Sequence, residues 1–370
     1  MNTLEKARLL GDAGKYDVCG GEICKPPEIT DGLHNLPGVI KAKTQNGHFC
    51  SLLKTLQTNK CKHDCRYCAN RAGCGQRKLT EFEPAELADF FNKLVERDIV
   101  TGLFLSSGVA GDPDVMTEKM LRTVRLVRHK YKFQGYIHFK VLPGTSYDLI
   151  KQASELVSRL SINVEAPNKS RLSELSSVKE LQSDIIRRQA WIKRVEPRGG
   201  QTTQIIIGAS DETDLEVLKM AKWEYMNMDL KRVYYSAFSP LKNTPLENRK
   251  KESPSRANHL YNCDWLLREY KYKLSEIKEV LVDEMLPNKD PKLAIAENIL
   301  TEPVNIEDAV YDELIRVPGI GLKTAQKIIA FRENKKLKSD NLKKCGVVMK
   351  RAGPFIRVGG EQQIRLGAFT

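Results

Sequence analysis

The chain is short of several things, and each shortage narrows what it is. No apolar run approaches the ~20 residues needed to span a bilayer. The first residues, MNTLEKARLLGDAGKYD, have neither a long apolar centre nor a small-residue cleavage site. The expectation is a cytoplasmic protein with no membrane contact. Nine cysteines in 370 residues are too sparse for a disulfide scaffold. No G-x-G-x-x-G follows the first candidate strand, which argues against a dinucleotide fold. There is no internal repeat and no low-complexity segment. Acidic residues are also scarce, 47 against 60 Lys and Arg, for a net charge of +13. The shortage is local: residues 314–370 hold thirteen Lys and Arg against Glu333, Asp340 and Glu361. Such an excess suits a phosphate backbone, which gains from counterion release, and it equally suits a solvated tail.

What is present is an alternation of short β-branched runs with longer amphipathic stretches, the mark of parallel strands joined by helices. Candidate strands are Cys50–Leu56, Leu103–Ser107, Tyr136–Val141, Leu160–Val164, Thr203–Ile207 and Val233–Ala237. Candidate helices include Pro84–Arg97, Glu118–Tyr131 and Ala257–Lys271. Six strand–helix units suit a partial (β/α)6 barrel. The Pro-rich stretch PNKDP at Pro287–Pro291 then punctuates the chain. The expected organisation is an α/β barrel over 46–286, an N-terminal segment over 1–45 and a small all-α domain over 287–370.

Three of the cysteines fall within eight residues, TNKCKHDCRYC, spaced C-x3-C-x2-C at Cys61, Cys65 and Cys68. Three thiolates on one loop can reach three irons of a cubane cluster and leave the fourth iron open. A zinc site completed by Cys74 is the plain alternative, although structural zinc usually takes two separated cysteine pairs.

The C-x3-C-x2-C spacing, with Tyr67 before the last cysteine and a strand just before the loop, resembles the radical S-adenosylmethionine (SAM) superfamily. Four further segments are similar to its cofactor-contacting strands. Ser106, Ser107 and Gly108 end the second strand, although Ser stands where that superfamily has Gly and no Glu follows. Asn163 and Glu165 lie at the fourth strand. Ile206 and Gly208 sit in Gln204–Asp211, a G-x-I-x-G-x-x-E-like stretch with Gln and Asp at its ends. Ser236 lies at the sixth. The resemblance implies a [4Fe–4S] cluster on Cys61, Cys65 and Cys68. It also implies SAM held by Tyr67, Ser106, Ser107, Gly108, Asn163, Glu165, Ile206, Gly208 and Ser236, and an electron donor such as flavodoxin or ferredoxin. Strand alternation puts Tyr136, His138 and Lys140 on one face, opposite Ile137 and Phe139, and Ser161, Asn163 and Glu165 on another. His138, Lys140 and Glu165 are therefore candidate catalytic residues, with a hydrogen-bonded core histidine as the plainer reading of His138.

Near the C-terminus, ELIRVPGIGLKTAQKII at Glu313–Ile329 reads as two short helices around a Pro-Gly-Ile-Gly turn. Gly319 and Gly321 permit close backbone approach, and Lys323 and Thr324 stand beside them as donors. The stretch resembles a helix-hairpin-helix motif, which grips DNA backbones. Together with Asp12–Asp17, Ser51–Lys54, Cys68–Arg71, Gly102–Gly108 and Gly135–Lys140, it makes the chain similar to putative DNA modification or repair radical SAM proteins. That family implies DNA as substrate and a uracil-DNA-glycosylase-like partner. An RNA or protein substrate, or a non-catalytic cluster protein that binds nucleic acid, stand as alternatives. Cys19, Cys24 and Cys50 are candidates for further cluster ligands.

Overall fold

A computed structural model describes residues 1–14, 36–43, 49–74, 78–334, 339–359 and 361–362. The chain divides into two compact units, Met1–Glu212 with Lys219–Ser253, and Thr213–Leu218 with Pro254–Thr370.

The first unit is built on a seven-stranded sheet in the order β1-β2-β3-β4-β5-β6-β7. Its strands are β1 (Val39–Lys43), β2 (Phe49–Leu56), β3 (Gly102–Ser106), β4 (Tyr136–Lys140), β5 (Arg159–Ser161), β6 (Gln201–Ile207) and β7 (Leu230–Ala237). The six strands β2 to β7 are parallel, and β1 pairs antiparallel on the outer edge of β2. All six expected strands are present; β1 is an addition. The sheet curls into a half-barrel because helices cover its outer face, where Leu103, Leu105, Ile137 and Phe139 are fully buried. The helices start where proline and acid say they should. Pro84 opens Pro84–Glu96. The Asp112 carboxylate caps Pro113–Arg125, accepting from the amides of Asp114 (2.8 Å) and Val115 (3.3 Å). This cap moves the helix start ahead of the expected Glu118.

The strand expected over Leu160–Val164 ends at Ser161. Thr203 is the reason. Its hydroxyl accepts from the Val164 amide (3.0 Å) and donates to the Ile162 carbonyl (2.8 Å), so a side chain replaces the main-chain ladder there. The chain rejoins β6 at Glu165, whose amide donates to Gln204 O (3.0 Å) and whose carbonyl accepts from Ile206 (2.9 Å). Glu165 sits at φ 63°, left-handed backbone that a non-glycine residue adopts at a cost of about 1–3 kcal/mol.

The second unit packs Ile306, Leu314, Val317, Ile320, Ala325, Ile328, Leu342, Ala352 and Ile356 into one core. The expectation of an all-α domain is corrected. Besides its helices, the unit carries a three-stranded sheet of Val304–Asn305, Ile356–Val358 and Glu361–Gln362. Alternation produces it: Ile356 and Val358 are buried while Arg357 between them is exposed. Among the described residues, no helix is long and apolar enough to cross a membrane.

Candidate active site

The loop after β2 carries the three cysteines, and buried polar side chains fix its path. Gln57, Thr58 and Asn59 are all buried. The Gln57 amide group donates to Phe82 O (2.6 Å) and accepts from the Thr123 hydroxyl (2.9 Å). The Thr58 hydroxyl donates to Thr80 O (2.8 Å). Main-chain bonds then tie the loop to the end of β3, Gly108 N–H to Thr58 O (2.8 Å) and Lys62 N–H to Val109 O (2.7 Å). Gly108 is required for this approach, because a Cβ there would lie 2.2 Å from Lys60 O.

A second tether sits between the cysteines. The Asp64 carboxylate accepts from the Ser176 hydroxyl (2.6 Å) and from the amide (3.0 Å) and hydroxyl (2.5 Å) of Ser177. Burial works against ionising Asp64, but these serine donors outweigh it and hold its carboxyl down at about 2. Arg66 adds two bonds to the same segment, from its amide to Leu175 O (2.8 Å) and from its guanidinium to Glu174 O (3.2 Å).

So held, Cys61, Cys65 and Cys68 line one cavity of about 1190 Å³, open mouth included. Tyr67, Ser106, Ser107, Gly108, Lys140, Asn163, Glu165, Ile206 and Ser236 line it too. Two of the expected site residues do not. Gly208 lies at φ 85° in the turn after β6, where its amide donates to the Glu212 carboxylate (2.6 Å). His138 borders a separate small space with Phe104, Ser161, Thr203 and Tyr234; its Nε2 is 2.8 Å from the Ser161 hydroxyl. Burial, with Arg159, Lys140 and Lys54 nearby, pushes His138 well below the usual imidazole range, so it stands neutral.

One residue of the site, Lys179, went unread in the sequence, as did Glu212 in the turn beside it. Lys179 is almost wholly buried, with Nζ 3.5 Å from Glu165 Oε1 and 3.4 Å from the Tyr67 hydroxyl. Burial opposes its charge, but Cys65, Glu165 and Cys68 outweigh burial and hold the ammonium protonated. Glu212, rather than Asp211, closes the turn after β6, taking the Gly208 amide and the Ser210 hydroxyl (2.7 Å). Asp211 instead pairs with Arg249 at 2.7 Å.

The remaining cysteine candidates separate from this site. Cys50 opens β2, about 20 Å from the strand's other end at roughly 3.3 Å per residue, and bonds Thr101 (3.2 Å). Cys74 reaches Asn243 O at 3.3 Å. Cys19 and Cys24 lie outside the described residues.

In the second unit, Gly319 (φ 83°) makes the turn before the helix Leu322–Asn334. A Cβ on it would lie 2.7 Å from Val348 O. Gly319, Gly321 and Thr324 line a cavity of about 830 Å³, mouth included; Lys323, next in the chain, does not.

Residues 56–223 match the family model described as the Radical SAM superfamily. No curated protein matches the chain. Among solved structures, methylornithine synthase (PylB) is similar at 14% identity and TM-score 0.47, over 57% of this chain and 60% of that one. A radical SAM methyltransferase from Sphaerobacter thermophilus is similar at 16% and 0.47, over 66% and 75%. The FeFe-hydrogenase maturase HydG from Carboxydothermus hydrogenoformans is similar at 14% and 0.47, over 57% and 50%. The chain spans 48% to 60% of the length of the first three solved structures it matches.

A domain of this superfamily implies SAM and an iron–sulfur cluster, and the residues fit both. The three thiols stand around one cavity wall. The Asn70 amide donates to Cys68 Sγ (3.4 Å), the kind of bond that favours a thiolate. Burial otherwise pushes the metal-free Cys61 thiol up and the Cys68 thiol to about 12. Among the described residues no three His, Cys, Asp or Glu converge on a single ion position. Residues 56–223, which contain the three cysteines, are thus the part of the chain that matches the Radical SAM superfamily model.

Proposed function

We propose that the chain holds a [4Fe–4S] cluster on Cys61, Cys65 and Cys68, cleaves SAM beside it, and directs the resulting radical at DNA, in modification or repair. The observation that carries the reading is the single cavity, which gathers the three thiols with Ser106, Ser107, Asn163, Glu165, Ile206 and Ser236. When bound, cluster and SAM together supply reductive carbon–sulfur cleavage to methionine and a 5′-deoxyadenosyl radical.

The chain's own residues do the rest. Cys61, Cys65 and Cys68 would hold the cluster by their three sulfurs, beside the cavity that would take SAM. Lys179 places a positive charge against Cys65 and Glu165. Asn163 and Glu165 offer polar atoms where a ribose would lie. Val141, Leu142, Ile206, Phe238 and Leu241 make the wall apolar, which excludes water from a reactive intermediate. DNA as substrate is supported by the basic C-terminal stretch and by the hairpin-like turn at Gly319–Gly321. These two features also support reading the second unit as a helix-hairpin-helix nucleic-acid-binding domain. A base in a duplex would have to be flipped out to reach the site. A reducing partner such as flavodoxin or ferredoxin, and a uracil-DNA-glycosylase-like protein, complete the proposal.

The test is anaerobic reduction of the reconstituted chain with SAM, with DNA, RNA or neither present. The expected result is 5′-deoxyadenosine in all three, and an altered polymer only with DNA. No 5′-deoxyadenosine would end the cluster and SAM reading. An altered RNA and unaltered DNA would replace the substrate.

A further inference from the structure

The cavity of the second unit has walls that a phosphate-gripping turn alone does not need. Trp265 stands on one side with its side chain 45% exposed, on the helix Pro254–Arg268. Outside the cavity lining, the Arg268 guanidinium lies 5.6 Å from the indole and pairs with Asp264 at 2.8 Å. Tyr270 forms another wall. Its hydroxyl lies 3.6 Å from where a Cβ on Gly321 would stand, at the turn before the helix Leu322–Asn334. Lys292 lies 4.6 Å from the Tyr270 ring centroid and donates to Ile320 O at 2.7 Å. Among the described residues it forms no ion pair. Arg351 completes the rim and pairs with Asp290 at 2.7 Å, with both side chains part exposed.

The cavity therefore joins an exposed indole, a lysine without a carboxylate partner, a second cation and the start of a 13-residue helix. That set matches the two parts of one nucleotide. A planar base stacks on an aromatic ring, and a phosphate takes cations and amide hydrogens. In a duplex the bases are stacked on one another and cannot reach an indole beside the backbone. An unpaired strand can. The single acid of the lining, Asp290, is paired with Arg351 and also accepts from the Leu293 amide (3.0 Å), which leaves Lys292 as the cation that no carboxylate pairs.

We propose that this cavity holds one unpaired nucleotide of a DNA strand, its base against Trp265 and its phosphate at Gly319–Gly321 with Lys292 and Arg351. The inference rests on the DNA reading above and sharpens it: the second unit takes single-stranded or locally opened DNA in preference to intact duplex.

The test is fluorescence anisotropy of the full chain with a labelled oligothymidylate, with a duplex of equal length, and with thymidine monophosphate as competitor, at one fixed salt concentration. Trp265→Ala should weaken single-strand binding about tenfold, the scale of losing one base–aromatic stack, and leave duplex binding within about twofold. Trp265→Phe should restore most of the loss, which separates stacking from misfolding. An unchanged single-strand affinity in Trp265→Ala, or an equal loss on both DNAs, overturns the inference while the DNA reading stands. Thymidine monophosphate displacing the strand at equal nucleotide concentration overturns the assignment to a polymer. A wild-type chain that binds neither DNA overturns the DNA reading itself.

Discussion

The two cavities differ in how their polar groups are held. In the first unit Lys179 is buried against Glu165 and Tyr67, and the buried Gln57 and Thr58 bond main chain, while Asp64, part exposed, ties the loop to two serines. In the second unit Arg351 and Asp290 are part exposed, Trp265 and Val348 are exposed, and Lys292 is the one largely buried charge of the cavity. Burial makes electrostatics strong and geometry rigid, as a site handling a reactive species needs. Exposure makes each contact weak, adaptable and dependent on salt, as a grip on a charged polymer needs. Substitutions should therefore act very differently in the two places.

The largest contrast lies among the cysteines. Cys65→Ala should abolish the visible absorbance of the reconstituted cluster and lower 5′-deoxyadenosine to the blank. Cys50→Ala, at the far end of β2, should leave both unchanged; equal losses would erase the distinction between ligand and bystander. Next comes Lys179→Met, which strands the Glu165 carboxylate in a buried place. It should destabilise the metal-free chain by about 3–5 kcal/mol in urea unfolding. Adding Glu165→Gln should recover most of that, and failure to recover would show that the pair is not the source. Gly108→Ala should cost about 1–3 kcal/mol by pushing a Cβ into Lys60 O, read as a lower thermal midpoint.

The pH-dependent effect belongs to the second cavity. Burial holds Lys292 down at about 7, so the folded chain releases this proton more readily than the unfolded one. The penalty is full below about pH 7 and is relieved as pH rises towards the unfolded value of about 10.4. Wild-type stability should thus gain on Lys292→Met between pH 7 and 9.5, in paired urea midpoints. A constant difference would show that Lys292 carries its proton throughout.

Much of the first unit was legible because its signals are local. Strand alternation in Tyr136–Lys140 and the three-thiol spacing each lie within a dozen residues. Lys179 was not legible: it sits in the polar run Ser176–Glu180 and becomes buried only when Asp64, over a hundred residues earlier, captures Ser176 and Ser177. β1 was missed because its alternating lysines, Lys41 and Lys43, read as an irregular segment until β2 pairs with it. Glu212's bond to the Gly208 amide was not legible, because the turn that brings the two together shows only in the folded chain. The strands of the second unit are two or three residues long, too short for any period to show.

The Asp64 tether also bears on how this site could be moved or copied. The cysteine loop does not carry its own shape, since part of its frame is supplied by residues 174–177, and the same segment delivers Lys179. Grafting Thr58–Cys74 alone into another barrel would transfer the ligands without their scaffold or their counter-charge. The smallest portable piece is discontinuous: the loop, the Gly108 turn and the stretch from Leu172 to Glu180. Evolution faces the same constraint, so a change in any one of these three segments alters the terms on which the other two can vary.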